Sequence, residues 1–163
     1  MPSEPFTTTQ RLWVLAFIVL VPVALAFAFK DKQPEHKIIT SGLFPVIEEA
    51  RVTRSSEPGE QKVTLPYNVP GKRDEVLEYR IVLTYAAGQS PVFWLTPDDC
   101  VETIKINDAN IELQGDALSH RCDWQDGFRL DLGAYLKEGI NELVIKITNK
   151  TGPTGLALVS IMK

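Results

Sequence analysis

The sequence has 163 residues, with 17 Lys and Arg against 21 Asp and Glu, for a formal net charge of −4. From residue 38 onward it holds 13 bases and 18 acids, an acidic balance that recruits neither nucleic-acid phosphates nor an anionic membrane surface. That portion is long enough for one domain with its own core but not for two, and it shows no internal repeat or low-complexity tract.

Residues 1–11 read as a short tail. Leu12 to Phe29 (LWVLAFIVLVPVALAFAF) then runs for eighteen residues without a charge. As a helix rising ~1.5 Å per residue it covers roughly 27 Å, close to a bilayer core, and it lacks the polar face of a core helix. A transmembrane helix over 12–29 is therefore expected. Trp13 stands where an interfacial aromatic belongs, and Pro22 is tolerated where neighbours satisfy the freed carbonyl. A cleavable signal peptide competes, because Arg11 precedes the run and Ala24-Leu25-Ala26 has a small-x-small cleavage pattern. The tail before Arg11 holds no other base and includes Glu4, which favours the uncleaved anchor.

Two rules disagree on orientation. Lys30, Lys32 and Lys37 follow the span while Arg11 alone precedes it, and the positive-inside rule then puts the head in the cytoplasm. Cys100 and Cys122, the chain's two cysteines, point the other way: an even pair in a β domain beside an export-type segment suggests a disulfide made in an oxidising compartment. Two buried free thiols are the plainer alternative. The reading adopted is a single-pass inner-membrane protein with its head on the periplasmic side.

Residues 30–42 are polar and read as a stalk, and 43–163 as the head. Leu43 to Ile47 are apolar, and the stretch ends in RSSEPGE (54–60), a turn or loop. Leu77, Tyr79, Ile81, Leu83 and Tyr85 occupy alternate positions and predict the strongest strand. Val92 to Leu95 predicts a short apolar strand, with Phe93 and Trp94 assigned to the core. Thr96 to Asp99 follows as a turn, then a strand from Val101 to Ile106. Asn107-Asp108-Ala109-Asn110 predicts a tight hairpin turn, with a return over 111–113. Residues 114–127 are expected to form a loop carrying Cys122 and Trp124. Phe128, Leu130 and Leu132 alternate again. Ala134 to Lys137 predicts one helical turn stopped by Gly139. Leu143, Ile145 and Ile147 predict the next strand and 156–162 the last. Short strands punctuated by turns indicate an antiparallel β-sandwich or jelly roll.

The chain offers little catalytic chemistry. Its histidines are His36, in the stalk, and His120, in the loop, and no nucleophile elbow or phosphate-binding loop is visible. Asp98 and Asp99 are neighbours that point apart on an extended backbone, unlike a glycosidase pair. The expectation is a protein that is not an enzyme and has no cofactor. A structural calcium held by Asp98, Asp99, Asp108, Asp116, Asp123 and Asp126 is the metal alternative. Zinc is disfavoured by the spacing of Cys100, His120 and Cys122. Trp124, flanked by Asp123 and Asp126, is the best platform for a sugar or a partner, with packing against the cysteine pair as its structural alternative. Asn149-Lys150-Thr151 fits a glycosylation sequon, a pattern too common to use.

Three segments carry a resemblance. The first is Asp98-Asp99-Cys100-Val101 followed by Ile104-Lys105-Ile106-Asn107. The second runs from Leu132-Gly133-Ala134 to Gly139-Ile140-Asn141. The third is Ile145-Lys146-Ile147-Thr148-Asn149, then Gly152 and Gly155-Leu156. From about Leu95 to Ile161, some 40% of the chain, the sequence resembles the galactose-binding-like jelly rolls that accompany glycoside hydrolases and occur in bacterial envelope proteins. Asp108 stands where that family tends to have Gly. These motifs mark turns and core positions, so the resemblance implies a fold more than a ligand.

Two functions follow as expectations. One is a non-catalytic accessory subunit bracing an integral membrane complex of photosynthetic, respiratory or envelope-assembly type. Its helix would pack in the lipid bilayer through small residues (Ala16, Ala24, Ala26, Ala28) and its head would brace from outside. The other is a membrane-tethered carbohydrate-binding module for envelope glycans.

Overall fold

The structure is a computed structural model that describes residues 42–163. The tail, the apolar span with Trp13, Pro22 and Phe29, and the stalk up to residue 41 lie outside the described residues. Among the described residues no helix is long and apolar enough to cross a membrane.

The head is mainly β, with two antiparallel sheets facing each other. One sheet has six strands: β1 (Val46–Arg54), β2 (Glu57–Val63), β4 (Val76–Tyr85), β6 (Cys100–Ile106), β7 (Ala109–Ile111) and β9 (Gly139–Thr148), in the order β2-β1-β4-β9-β6-β7. The other has four: β3 (Tyr67–Pro70), β5 (Val92–Pro97), β8 (Phe128–Asp131) and β10 (Pro153–Ile161), in the order β3-β10-β5-β8.

Alternation builds the core. Leu77, Tyr79, Ile81 and Leu83 of β4 are fully buried and pair in register with Ile147, Ile145, Leu143 and Asn141 of β9. Phe93, Leu95, Phe128, Leu130 and Leu156 close the core from the smaller sheet. Burying each such side chain contributes roughly 1.5–3 kcal/mol. In β6 the inward residues are Val101, Ile104 and Ile106, and the odd step from 101 to 104 is a bulge between Val101 and Thr103.

The predicted hairpin after β6 is present. Asn107 (φ 47°) and Asp108 (φ 69°) take the left-handed conformations of a two-residue primed turn, which Asn and Asp tolerate. Asn107 does more than turn the chain. Its Nδ2 donates to Oδ1 of buried Asn141 (2.8 Å), and its Oδ1 accepts from the Glu142 amide (3.1 Å). Asn141 also accepts from the Lys137 amide and donates to the Lys137 and Gly139 carbonyls. Two amide side chains thus join the β6–β7 turn to the start of β9.

Three local expectations are corrected, and one strand is added. RSSEPGE is not a loop: only Ser55 and Ser56 turn, and Glu57 opens β2. Pro58 and Gly59 (φ 95°) are tolerated because β2 is an edge strand, held by Arg51–Glu60 (2.9 Å) and Lys62–Glu49 (3.4 Å) pairs across β1 and β2. β3 is the added strand: four residues, preceded by Pro66 and ending in Pro70, show no usable period in the sequence. β10 begins at Pro153 rather than Leu156, since its first residues pair with β3. Residues 114–127 are not all loop: Gly115–Ser119 form a short helix, α1.

The end of β1 and the start of β4 are joined by a buried ion pair. Glu75, 3% exposed, accepts from Arg54 Nε (3.0 Å) and Nη2 (2.9 Å), from the Lys72 amide and from the Ser56 hydroxyl. Arg54 holds the Glu75 carboxyl down to about 2, against burial.

Candidate functional site

The two sheets present different outer faces. On the six-stranded sheet, the middle outward positions of β1, β4 and β9 are paired charges, and a row of Val46, Thr84 and Ile140 at one end leaves Ile140 77% exposed. Arg51 meets Glu49 and Glu60, Arg80 meets Glu78 (2.7 Å) and Glu142 (3.6 Å), and Lys146 meets Glu78 (3.3 Å). On the four-stranded sheet the outward row is Arg129, Trp94 and Val159, aligned across β8, β5 and β10. Val159 is 58% exposed and Trp94 38% exposed. Assigning Trp94 to the core is therefore corrected: Phe93 and Leu95 point inward, and strict alternation turns the residue between them to the outer face.

The segment after β7 folds back to this region. Cys100 and Cys122 are joined as a disulfide with Cα atoms 4.0 Å apart, as expected. The Val101 amide donates to the Arg121 carbonyl (2.8 Å) beside it. Trp94 Nε1 donates to the Asp126 carbonyl (2.8 Å), so the strand's indole also holds the loop. Gly127 (φ 66°) fits there because a Cβ would run into the Leu95 carbonyl and Thr96.

Of the predicted contact residues, Asp123 is committed to its own turn. Its Oδ1 accepts from the Gln125 (2.9 Å) and Asp126 (3.1 Å) amides, and its Oδ2 lies 3.1 Å from His120 Nδ1. The Asp126 amide, then His120, hold its carboxyl below the usual range. His120 Nε2 faces Asp116 at 3.3 Å, so both ring nitrogens meet carboxylates. Asp123, then Asp116, raise the His120 pKa, because only the imidazolium can donate from both nitrogens. Asp126 serves the site through its carbonyl.

Trp124 is 62% exposed. It lines a recess of about 630 Å³ with Asn68, Asp98, Asp99, the disulfide, Lys150, Thr151 and Pro153. It also lines a smaller one of about 180 Å³ with Tyr67, Asn68, Thr96, Asp98 and Gly155 over the β3–β10–β5 face. Trp124, Asn68 and Asp98 are common to both. Asn68 Nδ2 donates to Asp98 Oδ2 at 2.9 Å. Asp99, 9% exposed, accepts the Lys150 amide on Oδ1 (2.8 Å), while its Oδ2 has no hydrogen-bond partner among the described residues. Burial pushes the Asp99 carboxyl up, partly offset by the Lys150 amide. Asn68 and Lys150 were missed, because nothing near them in sequence marks a site and β3 itself went unread.

The six candidate calcium ligands do not converge as a shell of six to eight oxygens requires. Among the described residues no three His, Cys, Asp or Glu side chains form a group that could hold a metal. Asn149 of the sequon is fully buried, its Nδ2 donating to the Gly152 carbonyl (3.1 Å), which rules out a glycan there in the folded head. Comparison of the chain with models of protein families, with curated proteins and with solved structures returns no match.

Proposed function

We propose that the protein is a non-catalytic accessory subunit, anchored by the 12–29 helix and bracing a larger integral membrane complex with an extracytoplasmic β-sandwich. The observation that carries this reading is the outer face of the four-stranded sheet. Trp94 and Val159 stand exposed there with Trp124 at its margin, while the middle of the other sheet's outer face is covered by its own ion pairs. An exposed apolar patch with a polar rim marks an interaction surface. The disulfide supports placing the head in an oxidising compartment. The head is read further as galactose-binding-like, on the Asn107 and Asn141 turns whose amides hold the fold together. Purifying the full chain in mild detergent tests the proposal. Stoichiometric membrane partners are expected, and a chain that runs alone would contradict it.

A second reading has its own observation. Trp124 overlooks an Asn68–Asp98 pair, the amide and carboxylate combination that can bond vicinal hydroxyls of a pyranose stacked on the indole. The chain would then be a membrane-tethered carbohydrate-binding module. Glycan binding by the partner-free full chain, lost in Trp124→Ala, would favour it over bracing.

A further inference from the structure

We infer that the recess between Trp124 and the β5–β6 turn receives an arginine side chain of the partner protein, its guanidinium stacked on the Trp124 indole and bonded to Asp98. This deepens the bracing proposal and rests on it.

Charge and geometry carry the inference. Two successive carboxylates, Asp98 and Asp99, line the recess, and among the described residues neither forms an ion pair. Carboxylates on the opposite sheet's face, such as Glu49 and Glu78, each meet a cation. Lys150 also lines the recess, but it is the Lys150 backbone amide, not its ammonium, that reaches Asp99. Asp99 is more than nine-tenths buried at the recess wall, held by the Lys150 amide and facing the Thr154 hydroxyl, so it adds negative potential to the recess while Asp98 is the carboxylate an arriving donor can touch. At the mouth, Asn68 fixes one oxygen of Asp98 and leaves the other for an incoming N–H. The indole supplies the face. A planar guanidinium uses an aromatic face and a carboxylate together, which an ammonium does less well and a neutral sugar cannot do by charge. The acidic balance of the head favours a basic partner surface at longer range.

The test is a titration of the full chain in a sugar-free polyoxyethylene detergent. The readout is the Trp124 indole N–H resonance, assigned by Trp124→Phe. N-acetyl-argininamide should shift it saturably, and the neutral citrulline analogue should bind about tenfold or more weakly. Asp98→Asn should abolish the difference while leaving the Trp94 resonance in place, which reports an intact fold. Equal binding of arginine and citrulline analogues, or no response, overturns the inference. Tighter binding of phosphocholine assigns the recess to a lipid headgroup, and tighter binding of a methyl glycoside assigns it to a sugar; either overturns it. A membrane complex that survives both Asp98→Asn and Trp124→Ala sinks this inference alone. Arginine binding by a chain that holds no membrane partner sinks the bracing proposal alone.

Discussion

The outer faces of the two sheets are made from the same alternating pattern and finished in opposite ways. The six-stranded face satisfies itself: Arg51, Arg80 and Lys146 each contact a carboxylate on the same or the neighbouring strand. Such exposed pairs contribute little stability, about 0–1 kcal/mol each, and they cover the middle of the face, while Val46 and Ile140 stay exposed at one end of it and Lys105 of β6 meets no carboxylate among the described residues. The four-stranded face carries Trp94 and Val159 exposed, and the disulfide-held loop sets Trp124 beside two carboxylates that form no ion pair among the described residues. On the bracing proposal, the large sheet serves as scaffold and the small sheet as the recognition side.

The comparison can be broken by substitution, and the largest effects should come from residues that serve neither face. Arg54→Ala strands Glu75 in the interior and should cost about 3–5 kcal/mol in urea denaturation, loosening both faces together. The same pair sets an acid limit. Because the folded Glu75 carboxyl sits at about 2, below its ordinary 4.5, its stabilisation is whole above that ordinary value. It is lost as the pH falls toward 2, and Glu75→Gln should flatten the slope in that window. Removing both cysteines (Cys100→Ser with Cys122→Ser) should cost roughly 3 kcal/mol from loop closure over 22 positions. It should also raise amide exchange in residues 120–127 while leaving β4 and β9 protected, an effect confined to the recognition side. Trp94→Phe removes the bond to the Asp126 carbonyl and should cost about 1 kcal/mol, with the same loop loosened. Arg80→Ala, on the large sheet, should change stability by no more than about 1 kcal/mol. Trp124→Ala, at an exposed site, should stay within about 0.5 kcal/mol of the parent while removing binding at the recess.

Much of the scaffold is legible in the sequence because period-two burial writes it there. Leu77 to Leu83, Leu143 to Ile147 and the Asn107-Asp108 turn all lie where alternation and turn chemistry place them. The recognition side is less legible. Trp94 sits in an apolar run, Phe93-Trp94-Leu95, and hydrophobicity argues for the core although alternation turns it outward. β3 is four residues long and bounded by prolines, so the Asn68 it carries has no local signal. Trp124 was recognisable as an exposed aromatic, but its neighbours Asp98 and Lys150 reach it only through the fold. A loop carboxylate beside a tryptophan suggests a ligand contact at Asp123. In the fold its oxygens also cap backbone amides and face His120, a use that depends on the turn's own geometry.

The central claim is that the small sheet's outer face, and not the large one's, engages the partner. The most direct measurement compares two double variants of the full chain for retention of membrane partners in mild detergent. Trp94→Phe with Trp124→Ala alters the small face, and Arg80→Ala with Lys146→Ala alters the large one. The account predicts at least a tenfold loss of retained partner for the first and parental retention for the second. Parental retention by the first variant, or loss confined to the second, would contradict it.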